Sequence, residues 1–287
     1  MTKRIPLVSS STAGPLGAVH LPRLWAKVTL YTLDALPESY WCLTRGFDAN
    51  LLEAFGVSAP DCIAYVQSRL PNYQQFETWV CQRAVSLNAA ITTTNEIILN
   101  RDKPEERAAE DRAVLGLSDA SVRRGFLLND LDDWKSVHTS VVAGCDGETT
   151  AIVPAVSSNV AGPLGVRHLP RLWLIAILRI GGVISRGYDS DWMDRMTLDH
   201  LGVDANRSEA YLRSALPDYV QYEQWIRENA QHADAAGIAA HNAALQQQRE
   251  DMLRVDLLDW QLLHEGHLAE LELRGVRNDR NPETHSY

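Results

Sequence analysis

Residues 8–25, VSSSTAGPLGAVHLPRLW, return 148 positions later as VSSNVAGPLGVRHLPRLW at 156–173, identical at fourteen of eighteen positions. The match continues with TRGFD (Thr44–Asp48) against SRGYD (Ser185–Asp189) and LPNYQQFETW (Leu70–Trp79) against LPDYVQYEQW (Leu216–Trp225). It closes with DLDDWKSVH (Asp130–His138) against DLLDWQLLH (Asp256–His264). A period this long with only two copies excludes a solenoid. The direct reading is two homologous domains fused head to tail, 1–148 and 149–287, packed as a pseudo-twofold pair in place of a homodimer.

The copies differ in spacing. Trp25 to Gly46 spans twenty-one residues, but Trp173 to Gly187 spans fourteen, so the first copy carries an extra segment around Leu33–Cys42. Trp79 to Asp130 spans fifty-one residues against thirty-one from Trp225 to Asp256, and an insertion around Asn100–Arg112 accounts for most of the excess. That insertion reads as a solvated loop or short helix.

Apolar residues at three and four spacing after Pro22 and Pro170, and segments that stop at a Leu-Pro pair, predict helices throughout. Asp48 and Asp189 read as N-caps. Only Thr149–Val156 hints at a strand, so the fold class is all-α.

The formal net charge of −10 disfavours nucleic acid. The longest apolar stretch, Leu172–Ile184, is thirteen residues and contains Arg179, too short for a membrane span. Cys42, Cys62, Cys81 and Cys145 lack disulfide-framework or metal spacing, which suggests reduced thiols in a cytoplasm. No dinucleotide, phosphate-loop or serine-hydrolase motif occurs, so no cofactor is expected. Neither HExxH nor ExxH occurs in matched positions, so no metal is expected.

PLG, HLPRLW, the RG-aromatic-Asp turn, Leu-Pro-x-Tyr and the closing Asp-Trp with its later His together resemble a bacterial family of domains of unknown function, DUF5069. The resemblance covers nearly the whole chain as two such domains. It implies a bacterial protein and supplies no catalytic assignment.

In GPLGxxHLPRLW, His20 and His168 are candidate acid–base catalysts. Arg23 and Arg171 are candidate anion grips beside a helix N-terminus, and Trp25 and Trp173 are candidate cavity walls. Tyr73, Glu77, Tyr219 and Glu223 add an aromatic stripe with a carboxylate that burial would convert to an acid catalyst. Each has a competing reading: Arg23 pairs with Asp48 or Glu77, His20 caps its helix, Trp25 is core, and the stripe is packing.

The functional expectation is a cofactor-independent isomerase, cyclase, lyase or hydrolase acting on a small polar or anionic metabolite, as a monomer or a homodimer of pseudo-dimers. The alternative is a non-catalytic sensing or interaction module. The more polar LWAKVTL of the first copy, against LWLIAIL in the second, places a wetter cleft and the principal site in the first copy, with Leu33–Cys42 as its wall or lid.

Overall fold

The computed structural model describes residues 3–144, 153–184 and 191–273. These form thirteen α-helices and no strand, only isolated bridges such as Ala13 with Val19 and Ala161 with Arg167. Cys145, the SRGYD segment with Asp189, residues 149–152 of the Thr149–Val156 stretch and the tail beyond 273 lie outside the described residues.

The chain divides into two compact units that are not the two linear repeats. Unit 1 contains 1–98 and 255–287; unit 2 contains 99–254. In unit 1, α1 (Leu21–Thr32), α2 (Gly46–Phe55), α3 (Ala59–Arg69), α4 (Tyr73–Cys81) and most of α5 (Leu87–Asn100) are joined by the greater part of α13 (Arg249–Leu273). In unit 2, α6 (Glu105–Leu115) and α7 (Gly125–Val142) of the first repeat join α8 (Leu169–Ile180), α9 (Asp191–Leu201), α10 (Ala205–Ala215), α11 (Tyr219–Asn229) and α12 (Ala235–Gln246). Each repeat therefore sends its closing Asp-Trp helix into the unit built on the other repeat.

The recurring sequence blocks explain that exchange. In unit 1, α3 stops at Leu70, whose left-handed backbone (φ 42°) turns the chain into Pro71. Two carbonyls left over by that stop are taken up by side chains. Trp25 Nε1 of α1 donates to Pro71 O at 2.9 Å, and His264 Nε2 of α13 bonds Leu70 O at 2.8 Å. Unit 2 repeats the pattern: Leu216 has φ 42°, Trp173 donates to Pro217 O at 3.0 Å, and His138 of α7 bonds Leu216 O at 2.8 Å.

After the Leu-Pro stop, Asn72 with Gln75 and Asp218 with Gln221 close full capping boxes that start α4 and α11. The ring of Tyr73 then packs between Trp25 and Trp260 at 5.9 and 4.5 Å, and that of Tyr219 between Trp173 and Trp134 at 5.5 and 4.8 Å. All four tryptophans are fully buried. Each removes enough apolar surface to stabilise its unit by roughly 4 kcal/mol or more.

Three sequence expectations are corrected here. Helix α1 is not the wetter of the pair: every residue from Leu21 to Leu30 is buried, Lys27 and Thr29 included, because Lys27 is neutralised by Asp48 at 2.5 Å. Asp48 is not an N-cap; Arg45 holds that position, and Asp48 lies in the first turn with its carboxylate turned to partners in α1. Leu33–Cys42 forms no lid, since Leu33, Ala35, Leu36, Tyr40 and Cys42 gather with Leu30 into a small apolar cluster of their own. The insertion after Asn100 forms α6, matching the short-helix reading.

Candidate functional site

The GPLG segment forms the same tight loop in both units. Gly17 N bonds Gly14 O at 2.9 Å, and Gly165 N bonds Gly162 O at 2.9 Å, with Gly17 and Gly165 at φ 81° and 85°, a region that glycine enters freely. One asparagine clamps each loop. Asn95 Nδ2 donates to Gly17 O at 2.8 Å while its Oδ1 accepts from Val19 N at 2.9 Å; Asn242 does the same with Gly165 O and Arg167 N, at 2.9 and 3.1 Å. Sequence reasoning missed these two residues, because their helices are otherwise diverged. The only signal was an asparagine sixteen or seventeen positions after the matched Trp79 or Trp225.

The loop ends at His20 or His168, both in left-handed backbone (φ 69° and 70°) at the N-cap position, with no side-chain cap bond to the helix. Their rings turn inward. His20 Nε2 meets Asp48 Oδ1 at 2.7 Å, and that carboxylate also accepts from Leu43 N at 3.0 Å. Burial lowers the His20 pKa, and the Asp48 carboxyl is held well below the usual carboxylate range by His20 and Lys27 against the opposing cost of burial.

His168 bonds Ser158 Oγ at 2.9 Å through Nδ1 and Asp194 Oδ1 at 2.7 Å through Nε2. The order Ser–His–Asp is that of a proton relay, but Ser158 and His168 are each 0% exposed, so the relay faces the core. The sequence pairing of Asp48 with Asp189 also gives way: Asp194 occupies the role, since FGV (Phe55–Val57) and LGV (Leu201–Val203) set the true helix register.

Arg23 and Arg171, both buried, turn Nη1 to backbone carbonyls. Arg23 Nη1 donates to Pro6 O and Val8 O at 2.6 and 2.8 Å, and Arg171 Nη1 to Pro154 O and Val156 O, both at 2.9 Å. Each pins the extended lead-in to its GPLG loop, while Asp48 is engaged by His20 and Lys27 and Glu77 by Tyr73. A guanidinium buried this deeply requires anionic compensation. Unit 1 holds buried Asp256 and Asp259 beyond the Asp48 cluster; unit 2 holds buried Asp130 and Asp133. Trp25 and Trp173 are core.

That leaves the stripe. Tyr73 Oη donates to Glu77 Oε1 at 2.7 Å, and Leu16 N donates to the same oxygen at 3.1 Å. Tyr219 Oη donates to Glu223 Oε1 at 2.7 Å, with Leu164 N as a second donor. Gly14 and Gly162 exist for this contact: a methyl group at either would overlap the tyrosine hydroxyl.

Burial raises both glutamates, and carries the Glu223 carboxyl to about 7 against an ordinary value of 4.5, with the donors from Tyr219 and Leu164 and the charge of Arg227 only partly offsetting it. Glu223, 5% exposed, borders a cleft of about 800 Å³ in unit 2. Gly116–Asp119, Pro163, Tyr211, Gln221, Gln224, Trp225, Arg227 and Glu228 complete most of its lining. The Gly116–Asp119 wall follows directly on α6, so the first repeat supplies one wall of a cleft whose carboxyl comes from the second.

Among the described residues no group of three or more His, Cys, Asp or Glu is placed to hold a metal, and no helix is long and apolar enough to cross a membrane. What the site offers chemically is a carboxyl able to give or take a proton near neutrality, oriented by a tyrosine and a backbone amide. Comparison with known protein families, curated proteins and solved structures finds no match to this chain.

Proposed function

We propose that the protein binds a small polar metabolite in the unit 2 cleft and performs cofactor-independent acid–base chemistry on it, with Glu223 as the proton-transfer group. One observation carries this reading: a carboxyl titrating at about 7 sits at the edge of a cleft large enough for a metabolite. A general acid or base works best when its pKa lies near the operating pH, and such groups contribute about 10²- to 10⁴-fold.

Tyr219 holds Oε1 and fixes the carboxyl plane, so Glu223 protonated can donate to a developing alkoxide or enolate, and ionised can remove a proton from an activated carbon or hydroxyl. Isomerisation, cyclisation, elimination and hydrolysis all fit this single-carboxyl chemistry. His20, His168, Arg23 and Arg171 serve instead as positioning residues that hold the loop against which Glu77 and Glu223 are set.

Kinship with DUF5069, a cytoplasmic location and a pseudo-twofold pairing of the repeats belong to this proposal. The exchange of equivalent closing helices supports the last. Screening a metabolite library by thermal shift at pH 7 against the wild type and Glu223→Gln tests the functional reading. Ligands that stabilise the wild type and turn over only when Glu223 is present would support it. Ligands that bind the cleft without turnover would mark a sensing module, and ligands indifferent to Glu223 would overturn the site.

A further inference from the structure

The two aromatic platforms beside the glutamates differ in one respect that bears on the ligand. In unit 1, Tyr65 stacks on Trp79 with ring centroids 4.4 Å apart and planes 7° from parallel, while the Arg83 guanidinium lies 4.2 Å from the same ring's centroid. Two groups that close cannot share a face, so Trp79 is covered on both sides, by an aromatic ring and by a cation. Arg83 is anchored there by a bond from Nη1 to Trp79 O at 3.3 Å.

In unit 2, Tyr211 stacks on Trp225 in the same way, at 5.0 Å and 9°. The residue in the place of Arg83 is Asn229, which satisfies the corresponding carbonyl, Trp225 O, through Nδ2 at 2.8 Å but carries no charge. Its Oδ1 accepts from Arg207 Nη2 at 2.8 Å, which draws that guanidinium to the asparagine. Among the described residues no cation lies over Trp225. Trp79 is 7% exposed, whereas Trp225 is only half-buried and faces the cleft.

Tyr222 also packs near Trp225, with ring centroids 6.2 Å apart and planes 9° from parallel, so the half-buried ring is open where it borders the cleft. Asp119 and Glu228 line the cleft beside Glu223, with Arg227 as the single cation of the lining, and among the described residues Glu228 is engaged only by the neutral amide of Gln224 at 2.7 Å. Unit 1 has Gln82 where unit 2 has Glu228. The first repeat thus lays its own cation over the aromatic face; in the second the equivalent residue is neutral, the neighbouring guanidinium of Arg207 is held at Asn229 Oδ1, and a carboxylate is added beside it.

We infer that the unit 2 cleft is built for an organic cation, an ammonium or guanidinium group of the ligand taking over Trp225 the place that Arg83 takes over Trp79. The quadrupole of the indole and the carboxylate of Glu228 both attract such a group. This deepens the proposed function and rests on the cleft being the ligand site. It also narrows the expected metabolite from polar or anionic to one bearing a cationic nitrogen, with the proton exchanged by Glu223 on a neighbouring atom.

The test uses three compounds with a four-carbon chain: agmatine, neutral N-butylurea and anionic valerate, each titrated into the full-length protein and followed by the Trp225 indole resonance. Agmatine should saturate the site at least about tenfold more tightly than either of the others. Asn229→Arg, which restores the internal cation, should abolish that preference. Arg83→Asn should create a second agmatine response at the Trp79 indole. Circular dichroism should show both variants folded.

Equal binding of the three compounds, or an Asn229→Arg variant that keeps the agmatine preference, would overturn the inference. Its failure is separable from that of the acid–base reading, because the titration of Glu223 needs no ligand. A carboxyl near 7 with no cation preference would sink this inference alone, whereas a cation preference with an ordinary Glu223 would sink the acid–base reading alone.

Discussion

Glu77 and Glu223 occupy equivalent places on α4 and α11, accept from equivalent tyrosines at the same 2.7 Å, and sit against equivalent glycine loops. Their neighbours one turn on are different: Cys81, Gln82 and Arg83 in the first repeat, Arg227, Glu228 and Asn229 in the second. The shared part is what the fold needs to close a loop onto a helix. The part that differs lies along the cleft, and it teaches that one retained Tyr–Glu pair is given two different surroundings by the residues one turn on.

The scaffold half of this comparison is the easiest to break. Arg23→Ala and Arg171→Ala should each cost about 3–5 kcal/mol in denaturant unfolding, because each leaves two buried backbone carbonyls without their charged donor. The two losses should be alike. If either variant instead stays near wild-type stability and loses only ligand binding, the arginines are anion grips after all.

The glutamates should separate by pH. The folded pKa of Glu223 is raised above its ordinary value, so its stabilising contribution is complete below about 4.5 and is lost as pH rises through about 7. Glu223→Gln, which cannot ionise, should therefore be more stable than wild type at pH 8, by up to about 3 kcal/mol, and the gain should vanish near pH 4.5. Glu77 is shifted in the same direction by burial, so Glu77→Gln should gain with the same sign and by less. A larger gain for Glu77→Gln would reverse the assignment of the functional copy.

A smaller effect sharpens the comparison further. Gly14→Ala and Gly162→Ala should each cost about 1–3 kcal/mol through overpacking against the tyrosine hydroxyl. At Gly162 the added methyl also meets Glu223 Oε1, so this variant alone should displace the Glu223 titration. Thermal unfolding with a carboxyl titration of both variants checks it.

Much of this architecture was legible in the residues. Leu-Pro stops and apolar periodicity are local signals, and local physics sets them. The Tyr-Glu stripe was visible as a place where burial would make a carboxyl interesting.

What stayed hidden is non-local. The matching blocks run in the same order along both copies, so nothing in the sequence says that His264 bonds Leu70, or His138 bonds Leu216, rather than the reverse. Lys27 read as a solvent-facing residue because its partner, Asp48, lies twenty-one positions away on another helix. The insertion of the first repeat argued for a remodelled first site, yet the fold carries that insertion into unit 2, where Gly116–Asp119, just after the helix it forms, wall the cleft beside Glu223.

The central claim is that one carboxyl of this chain, Glu223, is poised for proton transfer near neutrality. Carboxyl-carbon NMR titration of the wild type from pH 3 to 9, with Glu223→Gln for assignment, tests it directly. One glutamate resonance should titrate with a midpoint near 7 and disappear in Glu223→Gln. If every glutamate in the wild type titrates below about 5, or if the resonance near 7 persists in Glu223→Gln, the claim is contradicted.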